Sequence, residues 1–85
     1  LLLADIYLQT GVKPEAQKAY RAALKLALDT KDLESQALAY IGLARLELNE
    51  QRQLTFAKGA ITNWNLLGAE AEANRTATEF GLSAR

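Results

Sequence analysis

Apolar residues recur at helical spacing along most of the chain. In segment 15–28 they step by three and four positions, and a second stripe with the same spacing consists of Leu54, Ala57, Ile61 and Trp64. This spacing places side chains on one face of an α-helix, and no stretch shows the strict alternation that a half-buried strand needs. The pattern therefore predicts an all-α fold.

Proline, glycine and short polar segments divide the pattern into five predicted helices. Gly11 suits the position just after a helix, where φ is positive, and Pro14 suits the first turn of the next helix. Asp32 is a candidate N-cap for the third helix. The predicted connections include segments 29–32, 49–53 and 67–70, and the predicted helices cover 1–10, 15–28, 35–48, 54–66 and 71–85.

The third predicted helix, "SQALAYIGLARLEL" (35–48), is apolar on nearly every side between Ala37 and Ala44. A helix with this composition is expected to be buried between neighbours. Trp64 and the tyrosines could be ligand platforms, but they fall on the apolar stripes, so core packing is the better interpretation.

A large apolar residue followed by a small one recurs at a nearly fixed distance. Leu3-Ala4, Ile41-Gly42 and Phe80-Gly81 are separated by 38 and then 39 residues. Fixed-period helical hairpins are typical of solenoids. Small residues at such positions allow close helix crossings, so Gly42→Val or Ala23→Leu is expected to cost about 1–3 kcal/mol through overpacking.

Composition narrows the function classes. The 85 residues are enough for one small domain, and ten basic residues balance ten acidic ones, which disfavours nucleic acid as a partner. Cysteine and histidine are absent, so neither a thiolate or histidine metal site nor a histidine general base is predicted. No cofactor is expected.

The chain opens with "LLLADIY", which is too short an apolar run for a membrane span and lacks a basic leader. We expect a cytoplasmic segment of a longer protein. Glu47 and Glu50 could share a helix face, but arginines lie nearby, and a solvated charged end is the preferred interpretation over acid–base chemistry. No enzyme activity is predicted.

The chain resembles the tetratricopeptide repeat family. The residues that carry the resemblance, at the family's spacing, are Leu3, Ala4, Tyr7, Gly11, Ala16, Tyr20 and Ala23. The second unit departs from the family pattern, with Arg45 in place of an aromatic residue and Asn49 in place of the turn glycine. The spacing also exceeds the family's usual repeat of about 34 residues and is similar to the longer-repeat branch found in signalling scaffolds and peptide-sensing regulators.

The resemblance implies a right-handed superhelix of antiparallel helical hairpins, with repeats over 1–30 and 33–68 and a partial repeat over 70–85. It further implies a protein- or peptide-binding scaffold. In this family the first helices of successive hairpins line a concave groove, which here would carry Asp5, Gln9, Gln36, Ala39, Leu43, Glu47, Arg75, Thr78 and Leu82. With Arg75 as its sole cation, this set disfavours an acidic C-terminal peptide.

Two other functions stay open at this point. The chain could be a homo-oligomerisation module, because Leu1, Leu2 and Leu3 form an apolar patch that no preceding hairpin covers. It could also be the repeat arm of a bacterial-type signalling or transcriptional regulator.

Overall fold

The computed structural model describes residues 13–83, and within that range the chain is all-α. Its helices are α1 (Lys13–Asp29), α2 (Leu33–Leu46), α3 (Glu50–Leu66) and α4 (Glu70–Phe80). No strand occurs in these residues, which confirms the predicted all-α character. The four helices correspond to the last four of the five predicted, and the first predicted helix lies outside the described residues.

Each connection between consecutive helices is three residues long. Connections this short join antiparallel neighbours. The helices accordingly pack mainly on their neighbours in the chain, so that α2 lies between α1 and α3, and α4 packs on α3. The described chain is thus a succession of helical hairpins, as the sequence pattern predicts at this coarse level.

Two predicted boundaries need correction. Segment 49–53 is not a polar connection, because Asn49 caps α3 by accepting a hydrogen bond from Arg52 N at 3.0 Å and the helix begins at Glu50. The last helix does not reach residue 85. It ends at Phe80, since Gly81 takes a left-handed conformation (φ 67°) and Leu82 N donates to Ala77 O.

The end of α4 at Gly81 also shows that the predicted repeat spacing was too long. Gly42 lies inside α2, whereas Gly81 ends α4, so these two glycines are not equivalent. The helix ends Asp29 and Leu66 lie 37 residues apart, as do the helix starts Leu33 and Glu70. The observed spacing is therefore one or two residues shorter than the predicted one.

The α1–α2 and α3–α4 corners share a backbone geometry. Lys31 (φ 57°) and Gly68 (φ 73°) are both left-handed and lie 37 residues apart. In each corner the following N–H donates back to the helix, from Asp32 N to Ala27 O at 2.9 Å and from Ala69 N to Trp64 O at 2.8 Å. These bonds satisfy carbonyl groups that would otherwise be unpaired at the helix end.

Lys31→Gly is expected to stabilise the protein. A left-handed conformation costs a residue with a Cβ roughly 1–2 kcal/mol, whereas glycine adopts it freely but loses more entropy on folding. The net gain in the free energy of unfolding should be about 0.5–1 kcal/mol, measured by urea denaturation. Lys25→Gly, in the exposed middle of α1, is the control and should be destabilising; a loss of stability in both variants would contradict the corner geometry.

A glutamine side chain forms a hydrogen bond across each of the first two corners. Gln36 Nε2 donates to Ala27 O at 3.1 Å, and Gln53 Nε2 donates to Ala44 O at 3.0 Å. In both cases the glutamine is the fourth residue of its helix and reaches a carbonyl nine residues earlier. The α3–α4 corner has Ala73 at the corresponding helix position, so its closing contact is made by backbone alone.

Among α2, α3 and α4, only α4 begins without a side-chain cap. Asp32 and Asn49 accept hydrogen bonds at the starts of α2 and α3, but the N-cap of α4 is Ala69, which makes no such bond. Ala69→Ser is therefore expected to raise the free energy of unfolding by about 0.5–1 kcal/mol. Thermal melts should show the gain, and Ala71→Ser, at the second residue of the helix, should not reproduce it.

Alanines and two glycines bring the helices close together. One core cluster consists of Ala16, Tyr20 and Leu43, and a second consists of Ala37, Ala60, Trp64 and Ala73. The Tyr20 ring lies against Gly42 so closely that a Cβ on Gly42 would overlap it, while Gly59 lies beside the Tyr40 ring with room for a tight contact. Ala23, by contrast, is half-buried at an open recess, which has room for a larger side chain. We therefore expect overpacking from Gly42→Val but not from Ala23→Leu.

Candidate functional site

A surface recess of about 230 Å³ lies between α2 and α4, and we call it the α2–α4 groove. Side chains spaced by three and four positions share one face of a helix, and both α2 and α4 contribute residues at this spacing. Trp64 comes from α3. The groove is lined by Leu38, Ile41, Arg45, Trp64, Glu72, Arg75, Thr76 and Glu79.

The middle of the groove is apolar. Leu38 is 42% exposed, and Ile41 is half-buried and packs against the second core cluster. Trp64 is only 5% exposed, which confirms its predicted place in the core, but it also contributes to the groove wall. An exposed leucine beside a buried indole gives the groove an apolar surface that water solvates poorly.

A bidentate ion pair closes one end of the groove. Arg45 Nε donates to Glu79 Oε2 at 2.7 Å, and a second guanidinium nitrogen of Arg45 donates to Glu79 Oε1 at 2.8 Å. This pair joins α2 to α4 across 34 residues of sequence. The hydrogen bond from Arg45 lowers the pKa of Glu79 below its ordinary value, and partial burial of the carboxylate opposes this effect.

A looser pair lies on α4 itself. Arg75 donates to Glu72 Oε1 at 3.4 Å, and its side chain is 76% exposed. Each of the four charged residues that line the groove thus faces an opposite charge. The groove presents an apolar middle with a balanced, charged rim.

The Arg45–Glu79 pair should make stability depend on acid pH. Because the pKa of Glu79 is lowered in the folded protein, the pair stabilises fully above the unfolded carboxyl pKa, and the contribution is lost as the pH falls through the folded value. Glu79→Gln should cost about 0.2–1 kcal/mol at neutral pH, a modest figure because both side chains are exposed to solvent.

Urea denaturation of both proteins at neutral pH and below about pH 4 would check this expectation. The difference between wild type and Glu79→Gln should shrink at the lower pH, and high salt should shrink it too. A difference that is independent of both pH and salt would mean that Glu79 acts through packing rather than charge.

The residues predicted to line a groove from α2 are mostly buried. Gln36, Ala39 and Leu43 have little or no exposed surface. Gln36 accepts a hydrogen bond from Asn63 Nδ2 at 3.1 Å while donating to α1, so it joins three helices. The predicted face of α2 thus packs inward, and the face that lines the groove starts two residues later, at Leu38.

The other predicted site residues lie in separate places. Glu47 is half-buried at the end of α2, where its Oε1 accepts from Asn49 N at 3.1 Å. Arg75 does line the groove, Thr78 is exposed on α4, and Leu82 lines a different recess beside α3. Asp5 and Gln9 lie outside the described residues.

Sequence reasoning missed Leu38, Ile41, Glu72 and Glu79. A signal for them existed: Leu38, Ile41 and Arg45 have helical spacing on a helix that is apolar on most sides. Because this helix is apolar on most sides, its pattern was equally compatible with the face through Gln36, Ala39 and Leu43, which is the face the sequence analysis predicted.

Residues 13–83 contain no group of three acidic, histidine or cysteine side chains arranged to hold a metal ion. Nor is any helix in this part of the chain both long enough and apolar enough to cross a bilayer. Comparison of the chain with protein-family models, curated proteins and solved structures found no match.

Proposed function

We propose that this chain is a protein-binding module that takes a peptide segment of a partner protein in the α2–α4 groove. The observation that carries the proposal is the exposed Leu38 beside Ile41 and Trp64, framed by two ion pairs. An apolar centre with a polar rim is the arrangement of many protein interfaces. No chemistry is assigned to the groove, and its charged residues pair with one another at the rim.

We further propose that the hairpins belong to a tetratricopeptide-like right-handed superhelix. Two features support this. Both pairs of equivalent helix starts and the ends of α1 and α3 lie 37 residues apart, and an aromatic ring of one helix packs against a glycine of the next, both for Tyr20 with Gly42 and for Tyr40 with Gly59. Repeated hairpins of this kind build extended binding surfaces in solenoid proteins.

Selection of random peptides displayed on phage against the immobilised protein tests the binding function. Peptides enriched by the wild type should be lost with Leu38→Asp, which places a charge in the apolar middle of the groove. Leu48→Asp is the matched control, since Leu48 is 93% exposed and does not line this groove. Absence of enriched peptides, or equal retention by both variants, would overturn the proposal.

Self-association is the second candidate. Leu26 and Leu28 near the end of α1, and Leu66 and Leu67 at the end of α3, are all substantially exposed. Because α1 and α3 run in the same direction, these leucines lie at the same end of the hairpins. Light scattering across a dilution series separates the candidates: a concentration-dependent dimer that Leu66→Ser weakens would favour self-association, and a monomer at all concentrations would exclude it.

A further inference from the structure

The helix α4 is short and depends on its neighbours for its order. It has 11 residues, whereas α1, α2 and α3 have 17, 14 and 17. Isolated helices of fewer than about 12–15 residues are marginal in water, because few hydrogen bonds offset the cost of nucleation. The stability of α4 must therefore come from its packing.

The side chains that α4 buries are small. They are Ala73, Thr76 and Ala77. The one large apolar residue of α4, Phe80, is only half-buried. In contrast, α1 buries the ring of Tyr20 and α3 buries the indole of Trp64. Because the free energy of burial scales with apolar area, α4 gains less from docking than α1 or α3 does.

The polar contacts around α4 are also weaker than those of α2 and α3. Each of those two helices has a capping side chain and a glutamine bonded across the preceding corner, whereas α4 has Ala69 and Ala73 at the equivalent positions. The ion pair that joins α4 to α2, Arg45–Glu79, has side chains that are 46% and 37% exposed. Pairs with this exposure contribute little to stability, because solvent screens the charges.

The α3–α4 corner can act as a hinge. It consists of Leu67, Gly68 and Ala69, and the space where a Cβ of Gly68 (φ 73°) would lie is open. Glycine adopts many backbone conformations at little steric cost, so this corner can reorient. The backbone hydrogen bond from Ala69 N to Trp64 O closes the corner in the docked arrangement.

We infer that α4 undocks as a unit at this corner while α1, α2 and α3 stay folded, so that the α2–α4 groove exists only while α4 is docked. The groove loses one wall when α4 leaves, because Glu72, Arg75, Thr76 and Glu79 line it from α4. This inference rests on the packing of α4 and not on the proposed binding function. A segment bound across the groove would contact both walls, and it would therefore favour the docked state.

Native-state hydrogen exchange of the 85-residue chain, followed by NMR, tests this inference. The amides of α4 should exchange at least about tenfold faster than the most protected amides of α2 and α3, because local opening needs less free energy than global unfolding. Their exchange should also depend less on urea, since undocking α4 exposes less surface than unfolding the whole chain. Equal protection of the helices, or equal urea dependence, would overturn the inference.

Two variants change the docking of α4 itself. Ala69→Ser supplies the missing cap and should slow the exchange of the α4 amides by about twofold to fivefold. Glu79→Gln removes the charge that pairs with Arg45 and should speed this exchange by up to about fivefold. If neither variant altered the exchange of α4, the helix would not undock in the way inferred.

Lys31→Gly is the matched control, because Lys31 lies in the α1–α2 corner, which stays folded when α4 undocks. This variant should slow the most protected α2 amides, which exchange through global unfolding, and leave the α4 amides unchanged. A slowing of α4 by the same factor would mean that α4 opens only when the whole chain unfolds, contrary to the inference. Phage selection with Leu38→Asp decides the binding function separately, so the two failures are distinguishable.

Discussion

Trp64→Ala is expected to lower the free energy of unfolding by about 3–5 kcal/mol, the largest effect of any substitution considered. The indole packs against Ala37, Ala60 and Ala73, which are too small to close the cavity that its removal leaves. A domain of 85 residues has about 4–13 kcal/mol of total stability, so the variant should be near its unfolding threshold at ambient temperature.

Far-UV circular dichroism with urea is the measurement, since the variant has no tryptophan to follow. Leu66→Ala is the matched control on the same helix: Leu66 is 68% exposed, and its loss should change stability by less than about 0.5 kcal/mol. If Trp64→Ala cost no more than this control, the second core cluster would not be the centre of the α2–α3–α4 packing.

Gly42→Val is expected to lower the free energy of unfolding by about 1–3 kcal/mol through overpacking. The Tyr20 ring occupies the space where any Cβ on Gly42 would lie, and Tyr20 is 1% exposed, so the ring has little room to move. The cost should be visible even in Gly42→Ala, although alanine is about 1 kcal/mol better than glycine inside a helix.

Gly59→Ala is the control for this contact. A Cβ there would come 3.2 Å from Tyr40 Cε2, but Tyr40 is half-buried and can shift, so the improved helix propensity should offset the tight contact. Denaturation curves should therefore separate the two glycines. In addition, Tyr20→Leu should relieve part of the cost of Gly42→Ala, and strictly additive effects of the two changes would argue against the ring contact.

The α1–α2 corner shows which structural features can be predicted from nearby residues alone. Asp32 was identified as an N-cap from the sequence, because a capping side chain acts on a backbone N–H only three residues away. The role of Gln36 was not, since its partners are the carbonyl of Ala27 and the side chain of Asn63, which lie on neighbouring helices. Capping depends on residues close in sequence, whereas the hydrogen bond from Gln36 to α1 forms only when both helices are in place.

The candidate site was harder to predict than the helices. Arg75 lines the α2–α4 groove and its binding role stays a prediction, while on α2 the predicted face carried Gln36, Ala39 and Leu43, which the structure buries. Arg45 and Glu79 lie 34 residues apart, and no local rule links them. Their pairing follows from the way α4 packs beside α2.

The amino-acid sequence by itself determined that the described chain is helical, where most of its corners lie, and that Tyr20 and Trp64 belong to the core. These features depend on spacing of three and four residues and on caps a few residues apart. Tertiary packing alone decided which face of the largely apolar α2 is buried, which small residue meets an aromatic ring, and which charges pair. The physical reason is that an all-round apolar helix can bury either face, and only contact with α1, α3 and α4 selects one.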